Sequence, residues 1–220
     1  MALLLVDLDN TLSDRAESLR RWVRVYLAER YGTVDDDLAA EMVRIDGDGL
    51  RDKASVAADM AQLLDLTDAE RAEFIVVLRR GTLAELRPTP GVIEALDAAS
   101  GAGFRPVILT NGKQSQQEGK VAALGLAPHV HAMVVSETVG VAKPNPEIFR
   151  IAALVAGDTL EGAWMIGDAA ESDIAGAVAA GLRSVWLRRG RAYPSDMVPP
   201  TRSADSFAEA VGIVIAHRED

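Results

Sequence analysis

Short apolar runs alternate with helical patterns along most of this chain, and that alternation constrains its fold more than any other feature. The runs fall at residues 2–6, 104–109, 131–135, 163–166 and 183–187. Each has the length of a strand buried on both faces. Helical patterns occupy residues 92–99, 116–124, 147–156, 173–180 and 207–215. Strands separated by helices of this length predict an α/β architecture with right-handed crossovers and a mostly parallel sheet.

Residues 13–87 break the rhythm. They follow the first strand, are too long for one crossover, and read as helices only. Leu19, Trp22, Val23, Tyr26 and Leu27 recur at helical spacing, as do Val56, Met60, Leu63 and Leu64, and residues 72–78 read as a third helix. Asp46-Gly47-Asp48-Gly49 reads as a loop between helices. The simplest account is a helical subdomain at 15–87 inserted into an α/β core made of 1–14 and 88–220. Arg87-Pro88-Thr89-Pro90-Gly91 is then a rigid re-entry. The alternative is one elongated domain. In open α/β sheets ligands bind outside the carboxyl ends of the strands. An insert leaving that edge is expected to roof the site.

Charge and composition narrow the partners. Twenty-three basic against 33 acidic side chains leave a formal charge of -10. That disfavours a nucleic-acid backbone or an anionic membrane as the main partner. With no cysteine, thiolate metal sites, cysteine nucleophiles and disulfides are excluded. No apolar run is long enough to span a bilayer. The chain begins MALLLVDLD, with acid where a signal peptide carries its basic region, so a cytoplasmic soluble protein is expected.

The polar residues of interest stand at strand ends. Asp7 and Asp9 flank Leu8 after the first strand, at a spacing that starts both side chains on one face. They read either as an ordinary acidic strand end or as a pair that needs a cation or a proton to coexist. Gly167-Asp168 ends the fourth strand, and Asp173 follows where a helix would begin, in a position that also suits a helix cap. Three carboxylates meeting without histidine or cysteine point to a hard, oxygen-ligated cation, with Mg²⁺ the natural one. Thr110-Asn111-Gly112 ends the second strand as an anion cradle or a plain Asn-Gly turn. Lys143, stiffened by Pro144 and Pro146, presents a cation or is a solvated surface lysine; Lys113 reads as a rim group. Together the pieces describe a phosphoryl-transfer site.

Four segments, LLLVDLDNTL, VILTN, VGVAKPNPEIF and WMIGDAAESD, occur in that order and span most of the chain. In them the chain resembles the haloacid dehalogenase-like (HAD) hydrolase superfamily, and the long insert resembles its helical C1 cap. The resemblance implies a Rossmann-like sheet ordered 5-4-1-2-3 and a covalent phosphoenzyme route. Asp7 matches the nucleophile and Asp9 the general acid/base, whose backbone carbonyl also matches a Mg²⁺ contact. Asp168 matches the metal-binding carboxylate, with Asp173 supporting or ligating. Thr110 and the Asn111 backbone N–H match the phosphate holders, and Lys143 matches the lysine that binds phosphoryl oxygens and steadies the nucleophile. An aspartate at position 9 is absent from the dehalogenase branch, and the P-type ATPase branch needs a membrane domain. Ala169 and Ser172 depart from the Ser/Thr and Asn common in relatives, which bears on metal affinity.

The expected activity is therefore Mg²⁺-dependent hydrolysis of small phosphorylated metabolites. A β-phosphoglucomutase-type mutase, a nucleotide-specific 5′-phosphatase and a non-catalytic binding module are the alternatives. Arg20, Arg24, Arg51 and Lys53 are candidate substrate contacts in the insert, though each reads more readily as a solvated side chain, and 46–50 reads as a specificity loop or a plain turn. Trp22, Trp164 and Trp186 read as packing, and His129, His131 and His217 carry no assigned role. The tail after Arg188 reads as loop up to the last helix. Oligomeric state is open.

Overall fold

Leu3, Leu4, Leu5 and Val6 are all fully buried, so the first strand has apolar neighbours on both faces, as a central strand of a covered parallel sheet must. The computed structural model describes residues 2–217. In chain order the elements are β1 (Ala2–Val6), α1 (Arg15–Tyr31), α2 (Asp36–Asp46), α3 (Lys53–Leu63), α4 (Asp68–Ala84), α5 (Val92–Gly101), β2 (Phe104–Thr110), α6 (Gln114–Ala123), β3 (Ala132–Val135), α7 (Ser136–Val139), α8 (Pro146–Val155), β4 (Trp164–Gly167), α9 (Gly176–Ala179), β5 (Arg183–Leu187), β6 (Arg202–Ala204) and α10 (Phe207–Ala216). They group into two units, one of residues 1–13 with 88–220 and one of residues 14–87.

The first unit is an α/β sandwich around a parallel sheet ordered β3-β2-β1-β4-β5-β6. The expected 5-4-1-2-3 is corrected by a sixth strand: β6 pairs with β5 through Val185 and Arg202. Three residues are too few to show an apolar period, which is why the tail reads as loop in sequence. On one face Leu3, Leu5, Val107 and Met165 pack with Ile148, Phe149 and Ala152 of α8. Each large side chain buried there contributes about 1.5–3 kcal/mol. α5 and α10 pack together and against the sheet. Val6 stands opposite both Ile108 and Ile166, so the residues that follow β1, β2 and β4 emerge at one edge.

The helix expected at 173–180 is also corrected. Residues Ala170–Ala175 form a π-helical turn, and regular helix begins only at Gly176. The wider turn brings the Asp173 carboxylate back onto the Ala169 N–H at 3.0 Å.

The second unit is four helices where three were expected. α2 opens on an Asp35 cap that accepts from the Leu38 N–H, with Asp36 and Asp37 in its first turn. α4 opens on a capping box between Thr67 and Glu70. Trp22, Leu27, Met42, Met60, Phe74 and Leu78 lie in its core. Gly81 lets α4 approach the Trp22 ring, which a Cβ at that position would overlap. The loop expected at 46–49 is a tight turn, but Asp46 is the last residue of α2 and fully buried, not a side chain reaching outward. Arg15 Nη1 and Nη2 donate to its two oxygens at 2.5 Å, and Lys53 Nζ donates at 2.8 Å. No helix among the described residues is long and apolar enough to cross a membrane.

Candidate active site

Asp7 follows β1, and its N–H donates to the Ile166 carbonyl, which ties it to β4. Asp168 follows β4, and Asp173 sits in the π-helical turn. One carboxylate oxygen from each of Asp7, Asp168 and Asp173 lies within 4.8 Å of the others, and all three residues are buried. Gly167 is required between β4 and this cluster, because a Cβ there would run into the Asp173 carboxylate.

Lys143 enters from the loop before α8. Its Nζ donates to Asp7 Oδ1, Asp173 Oδ1 and the Leu109 carbonyl, each at 2.7 Å. The lysine is held from behind: its N–H donates to Asn111 Oδ1 and its carbonyl accepts from Asn111 Nδ2, both at 2.9 Å. The Asn111 side chain is thus a clamp on the lysine loop.

Electrostatics follow from burial. Burial pushes Asp7 up to about 8, with Asp173 and Asp168 adding to the rise and Lys143 opposing it. Burial also raises Asp168, helped by Asp173 and opposed by Arg189 and Arg191. Burial alone would lower Lys143, but Asp173 and Asp7 outweigh it and hold the ammonium above the usual lysine range. The cluster favours added positive charge. Its ligand atoms are carboxylate oxygens, and the Ser172 hydroxyl donates to Asp173 Oδ1 at 3.3 Å, so a hard divalent cation such as Mg²⁺ fits it.

Asp9 sits at the same edge, 27 % exposed at its side chain. Thr110, at the end of β2, is buried. Four side chains that sequence reasoning passed over also reach this edge. Lys120 of α6 donates to Asp9 Oδ2, and Gln117 of α6 donates to Thr110 Oγ1. Arg189 and Arg191, just past β5, each donate to Asp168 Oδ2 at 2.9 Å, and Arg191 also reaches the Asp168 carbonyl. Trp186, read from sequence as packing, donates its indole N–H to that same carbonyl. Position was an available signal for Arg189 and Arg191, which follow the carboxyl end of β5; Gln117 and Lys120 lie within α6 and Trp186 within β5, and their positions gave none.

Each of the remaining candidates has an ion-pair partner. Arg20 pairs with Glu17, Arg24 with Asp36, Arg51 with Asp59, and Lys53 with Asp46, every pair inside the helical unit. Lys113 is exposed and pairs with Glu137. His129 pairs with Asp97.

A parallel sheet whose central strand leads into Asp-X-Asp, with a lysine and two further aspartates converging there, defines a class of phosphoryl-transfer folds. The model of the haloacid dehalogenase-like hydrolases matches residues 1–181, and the chain belongs to that family. The phosphoglycolate phosphatase of Mesorhizobium japonicum is 32% identical over 191 residues, covering 86% of this chain and 83% of that protein. The pyrimidine 5′-nucleotidase YjjG of Escherichia coli is 36% identical over 131 residues, covering 59% of this chain and 58% of that protein. The chain spans about half the length of the first curated relatives it matches. The magnesium-bound crystal structure of YfnB from Bacillus subtilis superposes with a TM-score of 0.81 at 22% identity, over 97% of this chain and 98% of that one, a likeness of fold.

Proposed function

We propose that this chain is a Mg²⁺-dependent phosphomonoesterase that acts on small phosphorylated metabolites through an aspartyl phosphate at Asp7. The observation that carries this reading is Lys143 Nζ bridging Asp7 Oδ1 and Asp173 Oδ1 beside Asp168. A buried lysine on one oxygen of a buried carboxylate favours its charged form and aims it, as a nucleophile requires.

In the first step an Asp7 carboxylate oxygen bonds to phosphorus, the ester P–O bond breaks, and Asp9 gives its proton to the departing alkoxide. In the second, water bonds to phosphorus as Asp9 takes its proton. The Asp7–phosphorus bond then breaks and phosphate leaves. Thr110 and the Asn111 backbone hold phosphoryl oxygens, and Lys143 offsets the charge that builds on them. Asp7 and Asp168 would hold the cation, with the Asp9 carbonyl. Asp173 supports them, since its two oxygens already accept from Lys143 and from the Ala169 N–H. When bound, the cation supplies positive charge that lowers Asp7 into its ionised form and offsets repulsion between carboxylate and phosphate.

The names of the two relatives described above support this substrate class, since pyrimidine 5′-nucleotides and phosphoglycolate are small phosphomonoesters. The test is phosphate release from such a panel with Mg²⁺ or with EDTA, beside an Asp7→Asn control. Release that needs both Mg²⁺ and Asp7 supports the reading. A β-hexose phosphate that changes isomer without releasing phosphate moves the assignment to a mutase, and no turnover of any member overturns catalysis of this kind.

A further inference from the structure

Two side chains on one face of α6 point at the proposed reaction. Lys120 Nζ donates to Asp9 Oδ2 at 2.5 Å, with the lysine side chain 20 % exposed. Gln117, three residues earlier and buried, donates through Nε2 to Thr110 Oγ1 at 2.6 Å and to the Asn111 carbonyl at 3.0 Å. Its Nε2 is also 3.5 Å from Asp9 Oδ2. A carbonyl and a carboxylate only accept, so the amide nitrogen must face them. The Thr110 hydroxyl then receives a hydrogen bond from Gln117, and its own proton, which here meets only the Asn111 carbonyl at 3.4 Å, can turn to a phosphoryl oxygen.

Lys120 has the complementary effect on Asp9. Asp9 lies in the loop after β1, next to Asn10 at φ 61, where the strand no longer sets side-chain direction. A carboxyl engaged through one oxygen has the direction of its other oxygen set as well. Proton transfer to a leaving group depends on that direction, because the acid must lie within hydrogen-bond reach of the oxygen it protonates. A lysine serving only solubility would leave its ammonium in water and keep its rotamer freedom. Here the ammonium is turned inward onto the one aspartate that the proposed chemistry needs as acid and base.

We propose that Lys120 is a positioning residue that aims the Asp9 carboxyl at the leaving group, with Gln117 setting the Thr110 hydroxyl from the same helix face. The inference rests on the phosphomonoesterase reading and names two residues that act through its acid/base and its phosphate cradle.

The test uses the full chain with Mg²⁺ and two esters. One is the alkyl phosphomonoester that the wild type turns over fastest; the other is p-nitrophenyl phosphate, whose leaving group needs little protonation. Lys120→Met is expected to lower kcat on the alkyl ester about 100-fold with KM within about threefold. The initial burst of p-nitrophenolate is expected to fall by less than about fivefold. Lys120→Arg, which keeps a cation on Asp9, is expected to recover most of the alkyl rate. Gln117→Glu, which would accept the Thr110 proton and add charge beside the phosphate, is expected to raise KM for both esters. Equal losses on the two esters in Lys120→Met, or an unchanged alkyl rate, overturn the positioning role while the phosphatase reading stands. A wild-type chain inert toward both esters overturns the phosphatase reading and the proposal with it.

Discussion

Lys143 Nζ lies 2.7 Å from Asp173 Oδ1, and both side chains are only 1 % exposed. A lone buried charge at either position would be costly, so each residue requires the other. Asp173→Asn removes one of the two carboxylates that hold the ammonium and frees the lysine to shift toward Asp7. Mg²⁺ affinity measured by titration calorimetry is expected to fall about 10- to 100-fold, as it does when a group that orients metal ligands is lost. Unchanged affinity would show that Asp173 does not order the cation site.

Arg189 and Arg191 both donate to Asp168 Oδ2, and Arg191 also grips the Asp168 carbonyl. Both bonds from Arg191 leave its Nη2, while its Nε donates to the Arg188 carbonyl at 3.4 Å; a lysine has one donor nitrogen and cannot keep that anchor as well. Arg191→Lys is therefore expected to weaken Mg²⁺ binding by about tenfold in the same calorimetric titration. Tighter binding would mean that the arginine competes with the cation rather than orienting its ligand.

Gly167 has no room for a side chain, since a Cβ would overlap the Asp173 carboxylate. Gly167→Ala is expected to lower the unfolding free energy in urea by about 1–3 kcal/mol through overpacking. Gly212 in α10 has nothing within 4 Å of the Cβ position, so Gly212→Ala is expected to stabilise by about 0.5–1 kcal/mol. The reverse order of the two variants would contradict the packing described here.

In the helical unit, burial raises Asp46, but the hydrogen bond and charge of Arg15, with Lys53 beside them, outweigh it and hold the carboxyl at about 2, below its ordinary 3.8. A carboxyl depressed on folding adds stability above its unfolded pKa and loses it as pH falls through the folded one. Its contribution is complete above about pH 4 and fades toward pH 2. Asp46→Asn is expected to cost about 2 kcal/mol or more at pH 7, with the gap to wild type narrowing below pH 4 in denaturant titrations. A gap independent of pH would place the loss in packing alone.

The sheet and the convergence of Asp7, Asp168, Asp173 and Lys143 were legible because strand ends of a parallel sheet share an edge: Asp7 and Asp168 stand at the ends of apolar runs, Asp173 follows Asp168 by five residues, and Lys143 sits in a proline-braced loop. Asp35-Asp36-Asp37 looks like an acidic loop until it is read as a cap and first turn, so α2 went unseen. The π-helical turn at Ala170–Ala175 has no periodic signature short of its backbone geometry. Gln117 and Lys120 lie among Gln116, Glu118 and Gly119, where any helix facing water carries such residues. Only the packing of α6 against the end of β2 shows that these two face inward.

The most direct test of the account is whether phosphate becomes covalently attached to Asp7. The wild-type chain is mixed with Mg²⁺ and its best substrate, quenched in acid within the first turnover, and examined by intact and peptide mass spectrometry. The account predicts one phosphoryl group per chain, on the peptide that contains Asp7, and none in Asp7→Asn. Rapid phosphate release by the wild type with no phosphorylated peptide, or a phosphoryl group on any other residue, would contradict it.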